Sequence, residues 1–383
     1  MKANDFGPNS AGKLSSVTPF WGGNHCFDPD PLPPVWEFSA ELWPLVNEAN
    51  KQLMLLEGIG RSLPNPTLIL RPLRDREAIL SSRMEGTIAS PRQLLLYELD
   101  PREAASEDDP RNMHREVANY ARALDYAMTS PLPTSLTLIR QLHAILMDGV
   151  RGKDRDPGQF RMQQVAIGTS ARYVPPAPNR LQDFLDAFDT YLHYDGRKYD
   201  PLVDCFLVHY QFETIHPFTD GNGRVGRLLL ALMIQRLCGM TQPWLHMSEY
   251  YEADHQKYCD LMYRVSTEGA WADWIAYCLI GVAQQAKRTI ERCDRLRSLR
   301  DDYYQRLAGK PASLRLKQII DGLFQAPVVA IADLPQSIGV TYPTAKSDVA
   351  KLVKAGVLAE FPDHHPKTYY APEIFAIAYE GLE

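Results

Sequence analysis

The sequence predicts a mainly α protein: a helical core that carries one β-hairpin flap, followed by a small C-terminal winged helix-turn-helix domain. Three observations point there. Apolar residues recur at helical spacing over most of the chain. Residues 163–178 break that period, with β-branched residues on both sides of a small polar centre. After residue 310, three short helical patterns precede a stretch that suits two short strands. At 383 residues the chain is longer than one core usually grows, so several domains are expected.

Residues 1–35 are rich in Pro, Gly, Asn and Ser and end in Asp-Pro-Leu-Pro-Pro, a composition that suits an extended arm. Helical spacing begins at Glu37 (Leu42, Leu45, Val46, Ala49, Leu53) and runs to about Tyr97, with a second helix from Asp75 through Glu85 that stops at Gly86. The acidic stretch 98–109 reads as a solvated loop before a helix from Met113 to Met128. Beyond the hairpin, helices are expected over Leu181–His193, Pro201–Ile215, Gly223–Leu237, Asp254–Arg264 and Ala270 to about Leu307. Helices over Leu314–Phe324, Ile331–Ile338 and Thr341–Ala355, then strands around Pro362-Asp363-His364-His365-Pro366, give the winged-helix order. The expected domains are an N-terminal arm and helical segment (1–111), a helical core (112–285), a connecting helix (286–310) and the winged-helix domain (311–383).

Composition narrows the classes. With 45% hydrophobic and 23% charged residues the chain is that of a compact globular protein. A net charge of −6 gives no general attraction to nucleic acid or to anionic membrane. Cys26, Cys205, Cys238, Cys259, Cys278 and Cys293 are scattered without zinc spacing and read as reduced buried thiols. Residues 1–16 lack an apolar core of the signal-peptide type and no apolar run suits a membrane span, so a cytoplasmic location is expected.

The chemistry concentrates in His216-Pro217-Phe218-Thr219-Asp220-Gly221-Asn222-Gly223-Arg224-Val225-Gly226-Arg227, between two helical patterns. Gly221, Asn222 and Gly223 readily take turn conformations in which backbone N–H groups converge on an anion. A helix N-terminus follows and adds its own free N–H groups. Arg224 and Arg227, three apart, leave one helix face toward the same place. Asp220 beside such a polyphosphate cradle is an oxygen ligand of the kind Mg²⁺ takes, which points to a metal-nucleotide complex. His216 enters the same loop and is of the right type to accept a proton near pH 7. Phe218 should face the core and fix the loop.

At every specified position this stretch resembles the Fic family signature His-x-Phe-x-Asp/Glu-Gly-Asn-Gly-Arg-x-x-Arg, and the resemblance extends over roughly residues 112–285. It implies a helical Fic core that binds ATP with Mg²⁺ and transfers AMP to a Ser, Thr or Tyr hydroxyl of a protein, itself included, with release of pyrophosphate. His216 is then the base and Asp220 the metal ligand, and the nucleotide is held along Asp220, Gly221, Asn222, Gly223, Arg224, Val225, Gly226 and Arg227. For adenine, the family's Tyr-Tyr pair is replaced here by Tyr258-Cys259, which leaves one aromatic ring and a small neighbour. Ser81-Ser82-Arg83-Met84-Glu85-Gly86 resembles the family's inhibitory helix, Ser/Thr-x-x-x-Glu-Gly/Asn. Ser81 and Glu85 share a helix face, and Glu85 is expected to pair with Arg227 at the edge of the ATP site and so exclude the terminal phosphate.

The hairpin edge at Val165, Ala166, Ile167 and Gly168 is the expected docking strand for a target segment. The tail carries Lys346, Lys351 and Lys354 on its third helix, yet from Pro311 onward acidic residues outnumber basic ones, so DNA is disfavoured against target selection or homodimer contact. Two other readings stay open: a different phosphoryl or nucleotidyl transfer on the same scaffold, and a nucleotide-sensing transcriptional regulator.

Overall fold

A computed structural model of the protein describes residues 1–20, 23–62, 66–101, 104–106, 109–150, 156–308, 313–361 and 367–382. Two strands open the chain, β1 (Gly12–Phe20) and β2 (Gly23–Pro29), antiparallel with Leu14 opposite Phe27. The helices α1 (Trp43–Ser62), α2 (Thr67–Met84), α3 (Pro91–Leu99), α4 (Arg111–Thr129) and α5 (Leu136–Leu146) follow. Next come α6 (Leu181–Leu192), α7 (Pro201–Ile215), α8 (Asn222–Leu237), α9 (Ser248–Ala253), α10 (His255–Glu268) and α11 (Trp271–Arg306). The tail runs α12 (Ser313–Gln325), β3 (Val328–Ala330), α13 (Leu334–Ile338), α14 (Tyr342–Lys354), β4 (Ala359–Glu360), β5 (Thr368–Tyr370) and α15 (Pro372–Ala378). Its three strands pair antiparallel in the order β3-β5-β4.

The central helix is α7. Asp200 caps it by accepting a hydrogen bond from the Leu202 N–H, and Pro201 stands in its first turn, where its missing donor costs nothing. Every residue from Leu202 to Ile215 except Glu213 is buried, the all-round burial of a helix enclosed by others. It packs on α8, with α6 and α11 also against it, while α1 lies along α11 and α4 contacts α2, α3 and α5. This cage fixes both ends of the loop between α7 and α8.

Four expectations change. The N-terminal arm is not a lone extended segment: β1 and β2 form a hairpin whose Phe27 N–H donates to the Val174 carbonyl at 2.8 Å. The expected flap hairpin is a loop closed by one antiparallel bridge, Ile167 to Tyr173, whose two backbone bonds measure 2.8 and 3.1 Å. Helix α2 begins at Thr67 and continues through Pro72, eight residues before its expected start at Asp75. Finally, α11 is unbroken across residues 285 and 286, so the expected core and connecting helix share one helix with no break between them.

The tail is joined to the rest through a continuous apolar core that includes Leu316, Ile320, Ile374 and Phe375. Helices α12 and α15 both rest on α2. There Arg76 donates to the Glu380 carbonyl at 2.8 Å and the Tyr379 hydroxyl to Asp75 at 3.3 Å. The expected boundary near residues 309–311 and the turn at 362–366 lie outside the described residues. Among the described residues no helix is long and apolar enough to cross a membrane.

Candidate active site

Helix α7 ends at His216, whose backbone turns left-handed (φ 51°, ψ 63°) and so carries the side chain out of the helix direction. A non-glycine residue held there costs about 1–3 kcal/mol, so the surroundings must impose it. The imidazole Nδ1 lies 3.3 Å from the Glu213 carbonyl. With that nitrogen donating, Nε2 carries the lone pair and faces away from the helix. Burial, and next the Arg161 cation, lower the imidazole pKa to about 4. His216 is therefore a neutral base throughout the physiological range.

The loop that follows is locked from inside. Phe218 is fully buried and stacks on His143, with centroids 3.8 Å apart and planes 5° from parallel. The Asn222 amide closes the loop on itself: its oxygen accepts from the Phe218 N–H and its nitrogen donates to the Phe218 carbonyl, both at 2.8 Å. Gly221 takes φ 77° immediately before α8, a conformation open to glycine at little cost. The Val225 N–H is taken by the Gly221 carbonyl at 3.0 Å, Val225 is buried in the core and Gly226 packs on Glu213. The expected anion cradle thus narrows to the first turn of α8, the N–H groups of Asn222, Gly223 and Arg224, with the helix dipole behind them.

The two arginines differ. Arg224 is 4% exposed, and among the described residues its Nε and Nη1 make no hydrogen bond; Glu116 and Asp220 stand 3.7 and 3.8 Å away. Buried guanidinium donors without acceptors are costly, and a bound anion satisfies them. Arg227, 3% exposed, is engaged through Nε and Nη2. Its Nε donates to Ser81 Oγ at 2.7 Å, and Nη2 donates to the Ser81 carbonyl at 2.9 Å and to Glu85 Oε1 at 2.8 Å. Ser81 lies in the last turn of α2 and Glu85 caps it, with Gly86 at φ 87° ending the helix as the sequence predicts. Burial would raise the Glu85 carboxyl, but Arg227 outweighs it and holds the group below its ordinary value. The carboxylate also packs directly on the Gly223 Cα, so that a side chain at 223 would collide with it. It therefore occupies the helix N-terminus that a phosphate would use.

Beside this cradle lies a cavity of about 500 Å³, bounded by Glu85, His216, Gly223 and Arg227 on one side and by the flap and α10 on the other. Of the expected docking residues, Ile167 and Gly168 line it. Ala166 instead packs against a small second core formed by Cys26, Ala171, Val174 and Ala177. Tyr258 and Cys259 form the far wall. Tyr258 is a wall more than a free stacking plate: its ring is buried 4.5 Å from that of Tyr251, and its hydroxyl bonds His209 Nε2 at 2.9 Å. Asp220 Oδ1 accepts from the Gly221 N–H at 2.7 Å. A single carboxylate suits Mg²⁺ that takes its other ligands from phosphate and water, and among the described residues there is no cluster of three metal-ligating side chains.

Residues 133–234 match the Fic/DOC family, and residues 43–129 match the Fic/DOC family N-terminal region. The chain carries a Fic/DOC family domain over residues 133–234. A protein adenylyltransferase Fic of Nematostella vectensis is 34% identical over 133 residues, which are 32% of this chain and 29% of that protein. One of Drosophila virilis is 32% identical over 130 residues, 25% of its length. The chain thus spans less than a third of the curated relatives it matches. Among solved structures, a Fic family protein from Desulfovibrio desulfuricans covers 88% of this chain and 97% of its own (TM-score 0.55, 19% identity). Residues 134–508 of Fic-1 from C. elegans cover 66% of this chain and 74% of their own (TM-score 0.51, 21% identity).

In this chain three residues matter that the sequence did not single out. His143 accepts from the Gly158 N–H at 2.8 Å through Nδ1 and so donates through Nε2 to the Asp220 carbonyl at 3.0 Å, bracing the loop from α5. Glu213 lines the cavity with Oε1 buried and unbonded among the described residues, and burial raises its pKa to about 8. Arg161 binds the backbone of His216. Each stands alone in sequence, and no spacing rule marks it.

Proposed function

We propose that the protein is a protein adenylyltransferase that transfers AMP from ATP to a hydroxyl side chain, itself included as a target, and that Glu85 holds it inhibited. The observation that carries this reading is the pairing of a neutral His216, whose Nδ1 faces the Glu213 carbonyl and leaves Nε2 as the basic nitrogen, with a helix N-terminus and a buried Arg224 whose Nε and Nη1 lack bonds among the described residues. The relatives named protein adenylyltransferase support the same chemistry. The target hydroxyl gives its proton to His216 Nε2, its oxygen attacks the α-phosphorus of ATP, and the bond from that phosphorus to the bridging oxygen breaks. Pyrophosphate leaves with the electron pair and AMP remains as a phosphodiester on the target. Arg224 and the first turn of α8 hold the phosphates. Mg²⁺ on Asp220 and the phosphates would offset their charge.

The terminal phosphate needs Arg227, which Ser81 and Glu85 hold. A hydrogen bond between charged groups contributes about 1.5–3 kcal/mol, so displacing Glu85 lowers productive ATP binding by roughly ten- to a hundred-fold. A target segment would lie along the flap beside Ile167 and Gly168. The tail, read as a winged helix, would serve target selection or a homodimer contact. Its charge balance argues against DNA.

Intact mass measurement after incubation with ATP and Mg²⁺ tests the reading. Added AMP supports it, added phosphate replaces it with phosphoryl transfer, and no addition to the wild type or to Glu85→Gly, with target proteins supplied, removes it.

A further inference from the structure

We infer that Arg161 is a positioning residue for His216, and that its guanidinium ties the base and the target-side flap into one unit; this rests on the adenylyltransfer reading. Arg161 stands just before the flap and is 3% exposed. Its Nε donates to the His216 carbonyl at 2.8 Å, and Nη2 donates to the carbonyls of Pro176 at 2.6 Å and Ile215 at 3.4 Å. Nη1 reaches the Gln163 carbonyl at 3.2 Å, and the backbone N–H of Arg161 donates to Pro217 at 2.9 Å. One residue therefore joins the end of α7, the loop after it and both arms of the flap, all but the loop contact through its side chain.

The arrangement answers a local need. A helix end leaves its last carbonyls without partners, and the left-handed turn at His216 removes the donors that a continued helix would supply. A planar fork of five N–H groups meets several carbonyls at fixed angles, which a lysine ammonium at one point cannot do. All the acceptors are neutral carbonyls, and among the described residues no carboxylate pairs with the cation next to the imidazole. Two charged groups act on the imidazole in opposite senses: Arg161 lowers its pKa and Glu85 on α2 raises it, while the Glu213 carbonyl favours the protonated form. Arg161 thereby orients the ring and keeps it neutral.

The test uses the full chain with Glu85→Gly as the parent and compares Arg161→Lys, Arg161→Gln and Gln164→Ala. Gln164 is the control, because its side chain also stitches the flap, to Pro175 at 2.9 Å, but does not touch His216. Three readouts are taken: AMP transfer, ATP affinity by calorimetry, and titration of the His216 imidazole by NMR. Misplacing a reacting group by about 1 Å can cost roughly a hundred-fold in rate. The expected result is a loss of kcat of that order in Arg161→Gln, a smaller loss in Arg161→Lys, and ATP affinity within about threefold of the parent in both. The imidazole titration should move up in Arg161→Gln and stay put in Gln164→Ala. If Arg161→Gln does not fold, Arg161→Lys carries the same readouts. Equal losses of ATP binding and kcat, or an unmoved imidazole titration in a folded variant, overturn the inference. A parent that transfers no AMP defeats the adenylyltransfer reading alone, and the imidazole titration then still decides whether Arg161 positions His216.

Discussion

Arg224 and Arg227 leave one face of α8 three residues apart and are almost equally buried, yet one side of the cradle is open and the other closed. On the Arg224 side, buried donors lack acceptors among the described residues and the nearest carboxylates stand 3.7 Å or more away. On the Arg227 side, α2 supplies three acceptors within 2.9 Å. The family signature specifies both arginines alike. What distinguishes them is a helix that arrives from more than a hundred residues upstream. On the proposed reading, catalytic capacity and its restraint reside in separate segments that meet at Arg227.

That contrast can be broken in order of expected effect. His216→Ala, which touches neither arginine, should lower AMP transfer by about 10²–10⁴-fold while ATP affinity measured by calorimetry stays nearly unchanged. Glu85→Gly should raise transfer by roughly ten- to a hundred-fold, since it frees Arg227 and the first turn of α8 together. Arg224→Ala should lower transfer by a similar factor whether or not Glu85 is present, because among the described residues no acceptor of α2 hydrogen-bonds its Nε or Nη1. Ser81→Ala removes one neutral acceptor from Arg227 and should release the enzyme by only about two- to tenfold.

The smallest effect concerns pH. His216 is neutral above about pH 4, so transfer by Glu85→Gly should stay level from pH 7 down to about 5 and fall below that, instead of falling near 6.5. Glu213 has the opposite sign. Its folded pKa of about 8 lies above the unfolded value, so the folded state binds the extra proton between the two and stability declines as pH rises through that window. Glu213→Gln should remove that decline and raise the melting temperature at pH 9 by about 2 °C or more, with little change at pH 5.

Much of this was legible in the sequence for identifiable reasons. The loop from His216 to Arg227 places its chemistry in consecutive residues, and α7 betrays itself by apolar residues on every face. Ser81 and Glu85 share a face by spacing alone, and their meeting with Arg227 was implied by the family likeness. The flap was misread because its β-branched residues signal extended chain without naming a partner: Val174 bonds Phe27 of the N-terminal hairpin, so the flap pairs with itself only at Ile167 and Tyr173. The hairpin itself was masked by the Pro- and Gly-rich composition around it. Pro72 hid the first turns of α2, because an interior proline ordinarily breaks a helix, yet α2 runs through it. Arg161 and His143 act through backbone carbonyls of distant segments, and a single residue in a loop leaves no periodic trace.

The central claim, that Glu85 and the terminal phosphate compete for Arg227, is tested most directly by the ATP affinity of four proteins measured by calorimetry with Mg²⁺: wild type, Glu85→Gly, Arg227→Ala and the double variant. Competition requires Glu85→Gly to bind ATP roughly ten-fold or more tightly than wild type, and the double variant to bind no better than Arg227→Ala. A folded Glu85→Gly protein that binds ATP no more tightly than wild type, or a double variant that keeps the full gain, contradicts it.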